Sequence, residues 1–320
     1  MYFKLDYTIR SLQIGERDGL TIELERPHGP VTVVLSKFQE AELTHGRKPT
    51  DFRCVAMTSR WAFEREEVLF SAMSGRVPDG IKPLLDGVRN ELGWCINSTI
   101  HNIKWMRGLT LAHNPIRYGS ALKWSYDGTV WKAVPGEIRL NARIGHAEPM
   151  YMKDDEVERI QQQVEKGVLE PLGHQLLSEA FAQAMDNPRS ALVMGIAAAE
   201  TGWKEFAAKM LPQTKWVLEN IPSPPLVKML EGMMPTITTK AGFVGRKASF
   251  PPRMLETLRN GVALRNTTVH GGHAKMNDAE LDEILATVRD LLYLLDLYSG
   301  LLWAAAHVRH ETVTTIEAVD

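Results

Sequence analysis

Residues 251–308 read PPRMLETLRN GVALRNTTVH GGHAKMNDAE LDEILATVRD LLYLLDLYSG LLWAAAHV. A helix is predicted from about 252 to 268, and Gly271-Gly272 stops it. Asn277 and Glu280 stand at capping-box spacing, opening a last long helix to about 308. Two long helices joined by a glycine-containing loop are the closing half of an up-down bundle. Upstream, Asn187-Pro188 reads as an N-cap followed by proline at the first helical position. The helix it opens runs to about 211, with Leu192, Val193, Ile196, Ala199, Trp203, Phe206 and Met210 inward. Residues 172–185 place Leu172, Leu176, Ala180, Phe181 and Ala184 on one face, and PSPPLVKMLEGMMP is a short helix between prolines. KDDEVERIQQQVEKG reads as a polar, solvated helix at the start of this half. Residues 151–320 are thus expected to be an all-α helical bundle.

The first 150 residues read differently. Residues 2–12, 19–26 and 30–38 are rich in β-branched and aromatic side chains between Gly/Pro/Asp signals, and 52–62 is a weaker strand candidate. ALKWSY and TVWKAV flank Asp127-Gly128, a hairpin signal, and GEIRLNA at 136–142 is a third candidate strand. Between them Ile81, Leu84, Leu85, Val88, Leu92, Ile96, Ile100 and Ile103 recur at helical spacing. Residues 1–150 are therefore expected to be an α+β domain, an antiparallel sheet with one long helix across it. A chain of 320 residues fits two such domains.

Charge limits the partners. Lys+Arg is 37 and Asp+Glu 39, a net of −2, so any nucleic-acid site must be a local patch. One such patch is written in the sequence. Residues 240–275 hold Lys240, Arg246, Lys247, Arg253, Arg259, Arg265 and Lys275 against one acid, Glu256. The alternative is that these charges pair with the acidic stretch Asp278, Glu280, Asp282 and Glu283. Only two cysteines occur, Cys54 and Cys95, so a reducing, cytoplasmic setting is expected. Leu291–Val308 carries a single charge, Asp296, and is read as a buried helix rather than a membrane span. No metal or cofactor motif occurs; His270 and His273 lack a third ligand at matching spacing. Trp203, Trp216 and Trp303 are expected in the core.

Leu264-Arg265-Asn266-Thr267-Thr268-Val269-His270-Gly271 ends the penultimate helix. With the Ala-rich AAAETGWKEFAAK, which contains Glu200, the following glycine and the long final helix, roughly residues 150–310 resemble HEPN domains. The closest likeness is to those of bacterial abortive-infection and toxin proteins. Two looser Arg-to-His spacings, Arg107–His113 and Arg139–His146, lie outside the expected bundle and are set aside. The resemblance implies a homodimer with a composite cleft. It also implies RNA cleavage leaving a 2′,3′-cyclic phosphate and a 5′-hydroxyl, and an acid, Glu200, near the Arg–His site; a surface ion pair with Lys204, four residues on, is the alternative for Glu200.

The residue chemistry agrees with that implication. Histidine exchanges protons near neutral pH. Arginine keeps its charge and forks onto phosphate oxygens, stabilising the charge of a pentacoordinate transition state. Asn266 and His270 share a helix face, whereas Arg265 and His270 stand about 140° apart. The β-branched run Thr267-Thr268-Val269 suggests an early helix end that would let His270 turn toward Arg265. One protomer supplies one such His, while the reaction wants both an acid and a base, and a two-fold dimer supplies both. The expectation is a metal-independent endoribonuclease, with Arg265, Asn266, His270 and Glu200 in the site and Lys240, Arg246, Lys247, Arg253, Arg259 and Lys275 holding RNA. It would act as a toxin or anti-phage defence effector, answering to a phage-derived trigger or an antitoxin, with the domain of residues 1–150 sensing the trigger, restraining the nuclease or binding RNA. The alternative is a non-catalytic HEPN domain that binds RNA or a nucleotide, or regulates a partner.

Overall fold

The computed structural model describes residues 1–9, 19–38, 52–58, 80–109, 116–119, 121–134, 154–220, 224–239, 250–270 and 276–317. The chain divides into two compact units. One is Met1–Ile103 with Asn114–Leu169; the other is Lys104–His113 with Glu170–Asp320. The boundary therefore falls at 169/170 rather than at 150/151. The expected "solvated" helix, α2 (Asp154–Glu165), belongs to the first unit because Ile160 and Val164 are fully buried and it packs on β2. Residues 104–113 join the second unit, so Arg107 sits with the bundle; His113 and the pair Arg139–His146 lie outside the described residues.

The first unit is an antiparallel sheet. Its strands are β1 (Tyr2–Ile9), β2 (Gly19–Leu24), β3 (Val31–Lys37), β4 (Phe52–Thr58), β5 (Ile116–Gly119), β6 (Lys123–Ser125) and β7 (Lys132–Ala133). The order is β2-β3-β4-β1-β6-β7, and β5 shares the β6 edge of β1. β4, the weaker candidate, is interior, because its alternation puts Phe52, Cys54, Ala56 and Thr58 inward between β3 and β1. Helix α1 (Lys82–Met106) buries Leu85, Val88, Leu92, Ile96, Ile100 and Ile103 of the predicted stripe, and Cys95 with them, while Leu84 is exposed. A Cβ at Gly93 would lie 3.9 Å from Leu5, so α1 lies on the Leu5 face of the sheet. The hairpin at Asp127-Gly128 forms, but register pairs Trp124 with Lys132. Its connection is longer than a two-residue turn. Gly128 has φ +83°, and Asp127 accepts from the N–H groups of Thr129 and Val130. Those bonds hold its carboxyl well below the usual carboxylate range. The third candidate strand, 136–142, lies outside the described residues.

The second unit is helical. Its principal helices are α3 (Leu172–Gln183), α4 (Pro188–Met210), α7 (Pro252–Val269) and α8 (Asp278–Tyr298). The short α5 (Lys215–Asn220), α6 (Leu226–Gly232) and α9 (His310–Glu317) accompany them. α4 touches α3, α7 and α8. Both predicted caps form: Asn187 accepts from the Ser190 N–H at 3.2 Å, and Asn277 from the Glu280 N–H at 2.8 Å. α3 and α4 close on glycines, since a Cβ on Gly173 would stand 2.9 Å from the Gly202 Cα.

Two expectations are corrected here. The α3 face is rotated: Gly173, His174, Leu177, Ser178 and Ala180 are buried, while Leu172 is exposed. The last helix stops at Tyr298, not near 308. Gly300 (φ +102°) sits in a Schellman turn, with the Gly300 N–H on Leu297 O and the Leu301 N–H on Asp296 O. A 3-10 segment, Leu302–His307, follows. Among the described residues no helix is long and apolar enough to cross a membrane.

Candidate functional site

Arg265 and Glu200 meet across the α4–α7 contact. Arg265 Nη2 donates to Glu200 Oε1, with side-chain exposures of 19% and 13%. The pair forms because Glu200 lies on the α4 turn between the buried Ala199 and Trp203 and is only half-buried itself. Arg265 follows Gly261 on α7, where a Cβ would come within 2.8 Å of Ile196. That absent side chain is what lets α7 approach α4 closely enough for the two charged groups to bond. A guanidinium beside a carboxylate in this partly dry setting is held in one orientation.

His270 does not turn toward Arg265. α7 continues through Val269, and the His270 N–H bonds Asn266 O at 3.0 Å. The threonines expected to fray the helix support it instead. Thr267 Oγ1 donates to Ala263 O at 3.1 Å, and Thr268 Oγ1 to Leu264 O at 2.9 Å, so their hydroxyls are satisfied within the helix. With the helix intact, five positions separate the guanidinium and the imidazole by about 140° round the axis. Within one protomer Arg265 points to α4, while Asn266, Val269 and His270 are exposed at the helix end, Val269 by 58%.

The basic segment is partly matched by acids. Arg259 pairs with Glu231 of α6 at 2.8 Å. Arg253 is exposed and lines a cavity of about 330 Å³ with Thr257, Glu283, Arg309 and Glu311. Lys240, Arg246, Lys247, Lys275 and His273 lie outside the described residues. The partners seen for Arg259 and Arg265 come from α6 and α4, not from the acidic stretch 278–283; Glu283 of that stretch binds Arg309.

Three buried polar groupings escaped the sequence reading. His174 Nε2 lies 2.9 Å from Asp296 Oδ2, and Trp105 Nε1 donates to the same oxygen at 2.8 Å. Lys104 and Glu170 pair at 3.3 Å with both side chains 1% exposed. Arg309 bonds the fully buried Asp290 at 2.7 Å and also Glu283 and Thr287. Asp296 carried a signal: a lone charge in an apolar helix needs a buried partner. His307 hydrogen-bonds Met106 O at 2.8 Å through Nε2, and burial pulls its pKa below the ordinary histidine value. Trp203 is in the core as expected, but Trp216 is 72% exposed on the short α5.

No protein-family model, curated protein or solved structure matches this chain.

Proposed function

We propose that the chain is a metal-independent endoribonuclease of HEPN type, acting as a homodimer in bacterial toxin or anti-phage defence. The observation that carries the reading is the end of α7. Arg265 is clamped by Glu200, while the adjacent Asn266 and, four residues after it, His270 stand exposed on a different face. A helix end with a fixed cation and an accessible imidazole is half of an acid–base phosphodiester site; a second copy supplies the other half. In this mechanism one His270 removes the 2′-hydroxyl proton and the other protonates the leaving 5′-oxygen. The attack of the 2′-oxygen on phosphorus forms the cyclic phosphate and breaks the P–O5′ bond. Arg265 steadies the phosphoryl oxygens, Asn266 orients the imidazole, and Glu200 positions Arg265 without touching substrate.

The ion pair itself favours a second reading. An arginine matched to a carboxylate also suits a structural clamp, which fits a non-catalytic RNA-binding or regulatory bundle. Labelled RNA incubated with protein in EDTA separates the two. Cleavage that falls about 10²–10⁴-fold in His270→Ala, and also falls in Arg265→Lys, supports the enzyme. EDTA-sensitive cleavage, or cleavage indifferent to His270, refutes it.

A further inference from the structure

We propose that the sheet face opposite α1 is a platform for single-stranded RNA, built from Lys4, Arg53, Lys123 and Trp131. This names where the strand is held. It rests on RNA being the ligand, as read above, but not on cleavage.

Tyr2, Lys4 and Asp6 alternate onto one face of β1, away from the Leu5 face on which α1 lies. Lys4 stands directly opposite Lys123 of β6. Like charges facing one another across a ladder are destabilising. Arg53 of β4 joins them, bonding Asp6 Oδ2 at 2.6 and 2.9 Å, and Lys123 Nζ lies 4.0 Å from the same oxygen. Asp6 thus lies among three cations, bonding Arg53 and standing near Lys123. Lys4 Nζ instead lies 4.1 Å over the ring of Trp131, the residue before β7. Burial, then Lys123 and Arg53, lower the Lys4 pKa against the opposing pull of Asp6. Tyr126 and Val130 are exposed on the β6–β7 connection, and Asp127 there is already held by backbone N–H groups.

A phosphodiester strand relieves this crowding, because its charges are spaced along a backbone and can meet the cations in turn. A base stacks on the Trp131 ring face away from Lys4. Strands of RNA are held on sheets by such pairing of rings with cations. An acidic peptide would meet the lysines but has no flat group for the tryptophan.

The test uses the full chain carrying His270→Ala, so that bound RNA is not cut, and a fluorescein-labelled single-stranded RNA read by anisotropy across a salt series. Lys4→Gln with Lys123→Gln should flatten the log–log salt dependence by about 1.4, near 0.7 per lost contact. Trp131→Leu should weaken binding about 5- to 150-fold. Lys132→Gln, whose ammonium lies over the Trp124 ring instead, should change little. Photocrosslinking of thiouridine RNA to the chain without these substitutions needs no folded variant, and should map to residues 1–9 or 121–134. Wild-type-like binding by the folded variants, crosslinks confined to 250–270, or equal competition by polyglutamate would each overturn the proposal. Binding here without any cleavage by the native chain retires the nuclease reading alone; cleavage without these crosslinks retires the platform alone.

Discussion

Replacing Glu200 isolates what the clamp on Arg265 is worth. Exposed ion pairs contribute about 0.2–1 kcal/mol, whereas breaking a buried pair costs about 3–5 kcal/mol by stranding the surviving charge. With side-chain exposures of 13% and 19%, this pair sits nearer the buried limit, and about 2–3 kcal/mol is expected. Glu200→Leu takes this carboxylate from the guanidinium; Arg265→Met takes this guanidinium from the carboxylate. The double variant removes both charges together and should cost less than either single change, about 0–1 kcal/mol. Urea unfolding of the four proteins closes the cycle. Single changes costing under about 0.5 kcal/mol, or a double variant equal to the sum of the singles, would show that the two groups are not coupled. A parallel cleavage series with Glu200→Gln should lower kcat more than it raises KM, as expected for a residue that positions the arginine without contacting RNA.

Gly173→Ala should destabilise by about 1–3 kcal/mol, because its Cβ would meet the Gly202 backbone at 2.9 Å. Gly232→Ala, with nothing within 4 Å of its Cβ, should be neutral or slightly stabilising in the same melts. Burial puts the folded pKa of His307 below its unfolded value. Its contribution is present above about pH 6.5 and is lost as pH falls, since the unfolded chain takes up the proton first. His307→Gln should therefore flatten the stability loss between about pH 7 and pH 5; an unchanged slope would refute the assignment. Burial raises the Cys54 thiol far above its usual range and pushes Cys95 up to about 12. Neither should react with a thiol reagent at about pH 8 until the chain unfolds, and native-state labelling would contradict the burial.

Features set by neighbours in the chain were readable in advance. The Asn187 and Asn277 caps need only a side chain and an N–H three residues on. The α1 stripe and the β1–β3 alternation are likewise local periodicities. Features set by distant partners were not. The α3 face turns on His174, whose partner Asp296 is 122 residues away, so a hydrophobic pattern could not find it. The apolar run to Val308 hid a helix end because Gly300 stops the backbone while the composition stays unchanged. Trp216 reads as core by type, but the short α5 leaves it outside. At the candidate site, Arg265, Asn266 and His270 were legible as a motif, and Glu200 came with the proposed HEPN resemblance. The end of the helix near 268 was legible, but the turn of His270 toward Arg265 was not borne out, because threonine hydroxyls that can fray a helix here bond back into it.

The central claim is that two copies of the α7 end share one groove. Val269, exposed beside His270, is the place to measure it: Val269→Cys, linked by a thiol crosslinker spanning about 10 Å, short enough for both copies to reach one phosphate. The buried native thiols stay silent. A crosslinked dimer at the protein concentration used for RNA cleavage is the predicted result. Monomer alone at that concentration, with the introduced thiol fully reactive, would contradict it.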